Sequence, residues 1–412
     1  MINYLKSFFN YTNILNNTDN NNNSYNNNNN YNCNNNYNNT NSDNNHHSIP
    51  CNNDEILFDT DKVFIKEINN VVTSNFEELF FLVFRNMYLR KEIENHLKKF
   101  QTVSVKSKKE LLEIPNRRYI AKLYYNMNQV INEGDIPFGV QELVFSGHFN
   151  KEFDKNVIPS SVKSINMGYW FNKPLKNLPE ELETLILGNE FNQELFEGSI
   201  PSSVTSLTFS GKSRYNHQFK VFDIPHKVKD LTLPHNYDKE ITPIGIIPQS
   251  VRSLHMGYYY DSPLVSGTIP DGVTHLVLSE NFNQPLKKGT IPPSVTHLVF
   301  GQLFDSDIAV GAIPPSVKAI VLSKFFNQPL SIGVLPRGLE NLVFGEWFNQ
   351  PISPGVIPST VKTLTFSDCF NQNLPEGTIP LSVISLTVGN FFDKPFPQKL
   401  NKSIKINGGF NY

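Results

Sequence analysis

The pair Ile-Pro, replaced twice by Leu-Pro, recurs along the chain with its prolines at Pro115, Pro137, Pro159, Pro179, Pro201, Pro225, Pro248, Pro270, Pro292, Pro314, Pro336, Pro358 and Pro380. Nine of the twelve intervals are 22 residues, the others 20, 24 and 23. A fixed period of this size means stacked coils, each too thin to bury its own apolar face and each covered by its neighbours. The chain is built to present surface rather than to enclose a globular core.

With Ile291 as position 1, four columns align. Position 5 is Val or Leu, position 8 Leu or Ile, and position 10 runs Phe145, Met167, Leu187, Phe209, Leu233, Met256, Leu278, Phe300, Leu322, Phe344, Phe366, Val388. Positions 8 and 10, two apart, share one side of an extended segment, which predicts one short strand per coil. Position 11 is Gly or Ser except at Pro234, so the chain turns there, and position 14 is aromatic, as at Phe282, Phe304, Phe326 and Phe348. Position 15 is Asn or Asp. A short polar side chain repeated at one turn can bond the backbone of the next coil, and Asn283, Asn327, Asn349 and Asn371 are expected to form such a structural ladder.

Phe-Asn-Gln-Pro-Leu at 282–286 and 326–330, Phe-Asn-Gln-Pro-Ile at 348–352 and the Ile-Pro that follows resemble the FNIP repeat, a 22-residue relative of the leucine-rich repeat. The resemblance covers about residues 114–412. It implies a mainly β, leucine-rich-repeat-like parallel solenoid, curved, of about thirteen 22-residue coils. The family's members are mostly of unknown molecular function, and some are joined to an F-box. Departures fall in the middle: the coil from Ile200 carries a two-residue insertion, and the coil from Ile224 has Pro234 and one extra residue. Those turns are expected to bulge or bend the stack.

Three segments follow. Residues 1–53 form a low-complexity tract dominated by asparagine from residue 10 on, with nothing to bury, expected to stay disordered. Residues 54–112 contain apolar residues at helical spacing from Phe76 to Phe100, which predicts a small α-helical N-terminal cap. Residues 113–412 form the solenoid. The alternative for residues 76–100 is an F-box-like docking segment with Leu79, Phe80, Phe84 and Leu89 as contacts, although the Leu-Pro opening and downstream Trp of a typical F-box are missing. Lys98, Lys99, Lys106, Lys108, Lys109, Arg117, Arg118 and Lys122 make the junction basic, which reads as a solvated face.

The near balance of 36 basic and 38 acidic residues argues against a dedicated nucleic-acid binder. Three cysteines cannot frame a chain of this length with disulfides, which fits a reducing compartment, and no 18-residue apolar run offers a membrane span. A cytoplasmic location, or alternatively a nuclear one, is expected. His46-His47 between Cys33 and Cys51 fits none of the usual zinc spacings.

Neither a phosphate-cradling loop, His-Glu-x-x-His nor Gly-x-Ser-x-Gly occurs. The expectation is no enzyme, no catalytic residue, no cofactor and no metal. His275 and His297 occupy position 7 in successive coils and should lie ~4.8 Å apart; lacking a third ligand, they read as a satisfied surface pair. Beside them at position 9 stand Val277, Val299, Val321 and Val343, an apolar stripe on the outer side of the strands. β-branched residues suit strands in any case, yet an unbroken exposed stripe is also what a partner surface looks like. These six residues are the candidate partner-binding set. Two functions stay open: a protein-protein interaction scaffold working through its strand face, or the substrate-recognition subunit of a ubiquitin ligase docking to the ligase core through residues 76–100.

Overall fold

The computed structural model describes residues 101–408 together with Lys91; the asparagine-rich tract and, Lys91 apart, the predicted cap and docking segment at 76–100 lie outside the described residues. Among the described residues, fifteen strands form one parallel sheet in strict chain order. They are β1 Thr102–Val105, β2 Lys122–Tyr125, β3 Glu142–Phe145, β4 Ser164–Asn166, β5 Thr184–Leu187, β6 Ser206–Phe209, β7 Asp230–Thr232, β8 Ser253–His255, β9 His275–Val277, β10 His297–Val299, β11 Ala319–Val321, β12 Asn341–Val343, β13 Thr363–Thr365, β14 Ser385–Thr387 and β15 Lys405–Asn407. Strands β2 to β14 belong to the thirteen expected coils, and β1 and β15 extend the sheet by one strand at each end.

Each coil is closed by a few repeated devices. The Ile-Pro proline opens a tight turn in which its carbonyl accepts the N–H of position 5, as in Val295 to Pro292 at 3.1 Å and Val317 to Pro314 at 3.1 Å. Proline's fixed φ prepares that turn and costs no hydrogen bond, since its nitrogen carries no proton. Positions 8 and 10 then point inward, so that Leu298 and Phe300 are buried, while positions 7 and 9 point out. Position 11 must be small where coils touch: a Cβ on Gly301 would lie 1.8 Å from the Ser279 carbonyl oxygen.

The aromatic column fills the interior. Phe282, Phe304, Phe326, Phe348, Phe370 and Phe392 are buried, and successive rings stack at 6.0 to 6.2 Å. Burying each contributes roughly 1.5–3 kcal/mol relative to exposure in water. At position 15 the side-chain oxygen accepts the backbone N–H of the same position one coil on. Asp305 N–H donates to Asn283 Oδ1 at 2.8 Å, Asn349 N–H to Asn327 Oδ1 at 2.9 Å and Asn371 N–H to Asn349 Oδ1 at 2.9 Å. A second hydroxyl ladder, absent from the sequence reading, runs at position 4, where Ser294, Ser316 and Ser382 donate to the position-5 carbonyls of the preceding coils at 2.6 to 2.8 Å.

The N-terminal boundary differs from expectation. β1 pairs in parallel with β2 and therefore belongs to the sheet, inside the stretch assigned to a helical cap. Thr102, Val103 and Val105 are β-branched, and Val105 is buried with the core. A short helix follows, α1 at Lys108–Glu113, started by Ser107, whose Oγ accepts the Glu110 N–H at 3.2 Å. The basic junction finds acceptors within the chain: Lys108 reaches Asp135 at 2.6 Å, Lys122 reaches Glu142 at 2.7 Å, and Arg117 donates to the Gly134 and Asp135 carbonyls.

Candidate protein-interaction surface

The outer face of the sheet is built from positions 7 and 9. Strict parallel register sets Val277, Val299, Val321 and Val343 side by side on β9 to β12. At the ~4.8 Å strand spacing the stripe spans ~14 Å. Val321 is 38% exposed, and the other three are half-buried between their neighbours. At position 7 the same strands carry His275, His297, Ala319 and Asn341, so no ionised carboxylate, ammonium or guanidinium stands in either outward column there. The imidazoles of His275 and His297 stack with centroids 4.4 Å apart and planes 7° apart. On β6, β7 and β8 the valine column gives way to Thr208, Thr232 and His255.

Where that change occurs, a cavity of about 330 Å³ opens beside the strand ends, lined among others by Thr232, His235, His255, Tyr258 and Glu280. Pro234 stands where the other coils have Gly or Ser, and a Cβ on Gly257 in the next coil would lie 2.3 Å from the Pro234 carbonyl oxygen. His255 Nδ1 accepts the Gly257 N–H at 3.2 Å. Burial pushes this imidazole below the ordinary histidine range, against an upward pull from Glu280, so a neutral ring with its proton on Nε2 is favoured. His235 leans on Tyr258 at 4.6 Å and meets Tyr259 edge-on at 5.3 Å; burial, and then Lys212, lower its pKa.

A second apolar feature runs along the turn after the strands. Position 13 holds Leu303, Phe325, Trp347, Cys369 and Phe391 in five successive coils, and all but the half-buried Cys369 are exposed. The Phe325 and Trp347 rings stack at 6.3 Å. The sequence reading left this column unassigned, although its periodic spacing makes it visible; upstream it is interrupted by Glu190, Arg214 and Asn236. Pro234, the single exception at position 11, was the signal for the cavity. Among the described residues no three His, Cys, Asp or Glu side chains converge as a metal cluster, and no helix is long and apolar enough to cross a membrane.

A parallel sheet of short strands closed by turns and an asparagine ladder defines a leucine-rich-repeat-like β-solenoid. Comparison with known proteins narrows this. FNIP Repeat matches residues 127–169, 171–212, 215–259, 240–281, 260–302, 282–325 and 326–369. These matches occupy more than half of the chain, and the chain belongs to the FNIP repeat family. Among solved structures it is similar to CroV588, a novel circular LRR protein, with TM-score 0.61 and 29% identity, covering 70% of this chain and 49% of CroV588. This chain thus spans about half of that relative's length. A leucine-rich repeat protein from Eubacterium ventriosum ATCC 27560 aligns at 13% identity over 73% of this chain and 91% of its own, with TM-score 0.22. No curated protein matches the chain.

Proposed function

We propose that this chain is a non-catalytic protein-interaction scaffold that receives a protein partner on its strand face over β9 to β12. The observation that carries the reading is the valine stripe in register, bordered at position 7 by residues without carboxylate, ammonium or guanidinium groups. A partner segment laid across it buries apolar area without stripping water from fixed charges. The cavity at Thr232 and His255 lies at one end of that stripe and offers a recess for an anchoring side chain.

Replacing Val299 and Val321 together by Lys tests the reading, because both side chains point away from the core. Affinity purification of the full chain is expected to lose the main solenoid-dependent partner, while the variant keeps the parent's unfolding free energy to within about 1 kcal/mol. Undiminished recovery with the folded double variant removes the strand face from consideration and moves attention to the Phe325 and Trp347 turn.

A further inference from the structure

His235, Tyr258 and Glu280 occupy position 12 in three successive coils and line the cavity beside β7 and β8. Of the lining residues, Glu280 alone carries a fixed charge. Its carboxylate is held in place, since Oε2 accepts the Gln302 N–H at 2.8 Å. Among the described residues no ammonium or guanidinium forms a salt bridge with it: Lys324, two coils on in the same column, is engaged with Glu346 at 3.0 Å, and Arg214 with Glu190 at 2.9 Å. Lys212 follows β6, three strands from β9 and so ~14 Å along the stack. His255 does not supply the missing charge either, because its Nδ1 accepts the Gly257 N–H and burial favours the neutral ring.

Next to Glu280 in the column the wall is aromatic. Tyr258 is half-buried, with the His235 ring leaning on it at 4.6 Å and Tyr259 edge-on at 4.9 Å. Its backbone is fixed, the carbonyl accepting the Asn281 N–H at 2.9 Å and the Ser279 hydroxyl at 2.5 Å. A side chain that fills this recess strips water from Glu280, and only donors on the incoming group make good that loss. An apolar anchor brings none, and a carboxylate adds repulsion. A guanidinium brings a planar fork that matches a carboxylate and a flat face that stacks on aromatic rings, whereas an ammonium is a strongly hydrated point charge.

We propose that the recess takes an arginine side chain of the partner, its guanidinium paired with Glu280 and stacked on Tyr258. This deepens the strand-face reading and rests on it. His255 stands opposite Val277 in the register, so the recess begins one strand beyond the valine stripe. The ~14 Å of stripe matches about four residues of extended chain at ~3.3 Å each. The partner segment is therefore a short apolar run with an arginine within about two residues of one end. A cavity of about 330 Å³ has room for one long side chain, and it stands at the lower end of the ~300–1,000 Å³ usual for small-molecule clefts.

The probe is N-acetyl-arginine methylamide, titrated into the full chain with NMR detection of labelled tyrosine and histidine rings. Saturable shifts of Tyr258 and His235 are expected. The uncharged isostere N-acetyl-citrulline methylamide should bind about tenfold more weakly, and the lysine counterpart several-fold more weakly. Glu280→Gln keeps an oxygen for the Gln302 N–H, so its thermal midpoint should stay within a few degrees of the parent's, and it should erase the preference for arginine over citrulline. Tyr258→Leu should erase the preference for arginine over lysine. Shifts that are absent or centred elsewhere, citrulline or lysine binding as well as arginine, or a preference that survives Glu280→Gln overturns the proposal. The probe is too small to cover the valine stripe, so each of these outcomes strikes the recess alone, whereas a partner retained by the folded Val299→Lys, Val321→Lys variant strikes the strand-face reading.

Discussion

The coils from Ile269 to Ile379 and the two coils from Ile200 and Ile224 solve the same stacking problem with different success. In the first group both the aromatic column and the asparagine ladder repeat in every coil. The ladder runs unbroken from Asp261 through Asn283, Asp305, Asn327, Asn349 and Asn371 to Asp393, and each aromatic ring stacks on the next. An equivalent ladder runs on the N-terminal side from Asn128 to Asn216. Between them, among the described residues, no rung joins Asn216 to Asp238 or Asp238 to Asp261. The Tyr215 and Tyr237 rings are bridged by Phe219 instead, at 5.1 and 5.0 Å.

The sheet ignores this interruption. Strands β6, β7 and β8 pair in full register, Leu207 opposite Leu231 and Leu231 opposite Leu254. Backbone pairing thus fixes the coil rise, and the extra residues are absorbed in turns, where chain length is least constrained. The molecule is two laddered blocks on one unbroken sheet, and the cavity sits at the joint, where tight packing is relaxed.

The largest effect should come from emptying the aromatic column in the regular block. Phe326→Ala is expected to lower stability by about 3–5 kcal/mol, read from a denaturant curve, because Phe304 and Phe348 both lose their stacked neighbour. A midpoint equal to the parent's would place that ring outside the core.

Alkaline pH should act on the joint before the regular block. Burial pushes the Tyr237 phenol up to about 12, and Tyr215 and Tyr260 are raised further by the same cause. Folded pKa values above the unfolded ones mean that this stability is fully present below about pH 10 and is lost as pH rises toward the folded values. Tyrosine absorbance and circular dichroism followed together through that range should show the loss, and Tyr237→Phe should reduce it. A flat stability curve from pH 10 to 12 would contradict the burial of these hydroxyls.

A matched pair of substitutions probes the ladder itself. Asn327→Ala removes the acceptor of the exposed Asn349 N–H and should cost about 0.5–1.5 kcal/mol. Asp238→Ala breaks no rung; it removes only an exposed contact to Lys239 at 3.9 Å and should cost close to nothing measurable. Equal costs in urea unfolding would show that the break is not energetically real.

The columns were legible because each is a property of one residue type at one spacing. Leucine at position 8, the rings at position 14 and the asparagines at position 15 face the same surroundings in every coil. The position-4 hydroxyls were not legible, since serine near a turn looks solvated and its acceptor is a carbonyl of the preceding coil, which leaves no trace in residue type. The strand at 102–105 escaped because it precedes the first Ile-Pro and carries no repeat signature. On the strand face, the outward direction of the valines followed from alternation.

Native-state hydrogen exchange on the full chain measures the two-block account residue by residue. The amides of Asn283, Asp305, Asn327, Asn349 and Asn371 should be protected like those of the adjoining strands, those of Asp238 and Asp261 should exchange much faster, and the amides of β6 to β8 should stay as protected as their neighbours. Uniform protection along the whole asparagine column, or loss of protection in β6 to β8 together with the turns, would contradict a broken side-chain ladder on a continuous sheet.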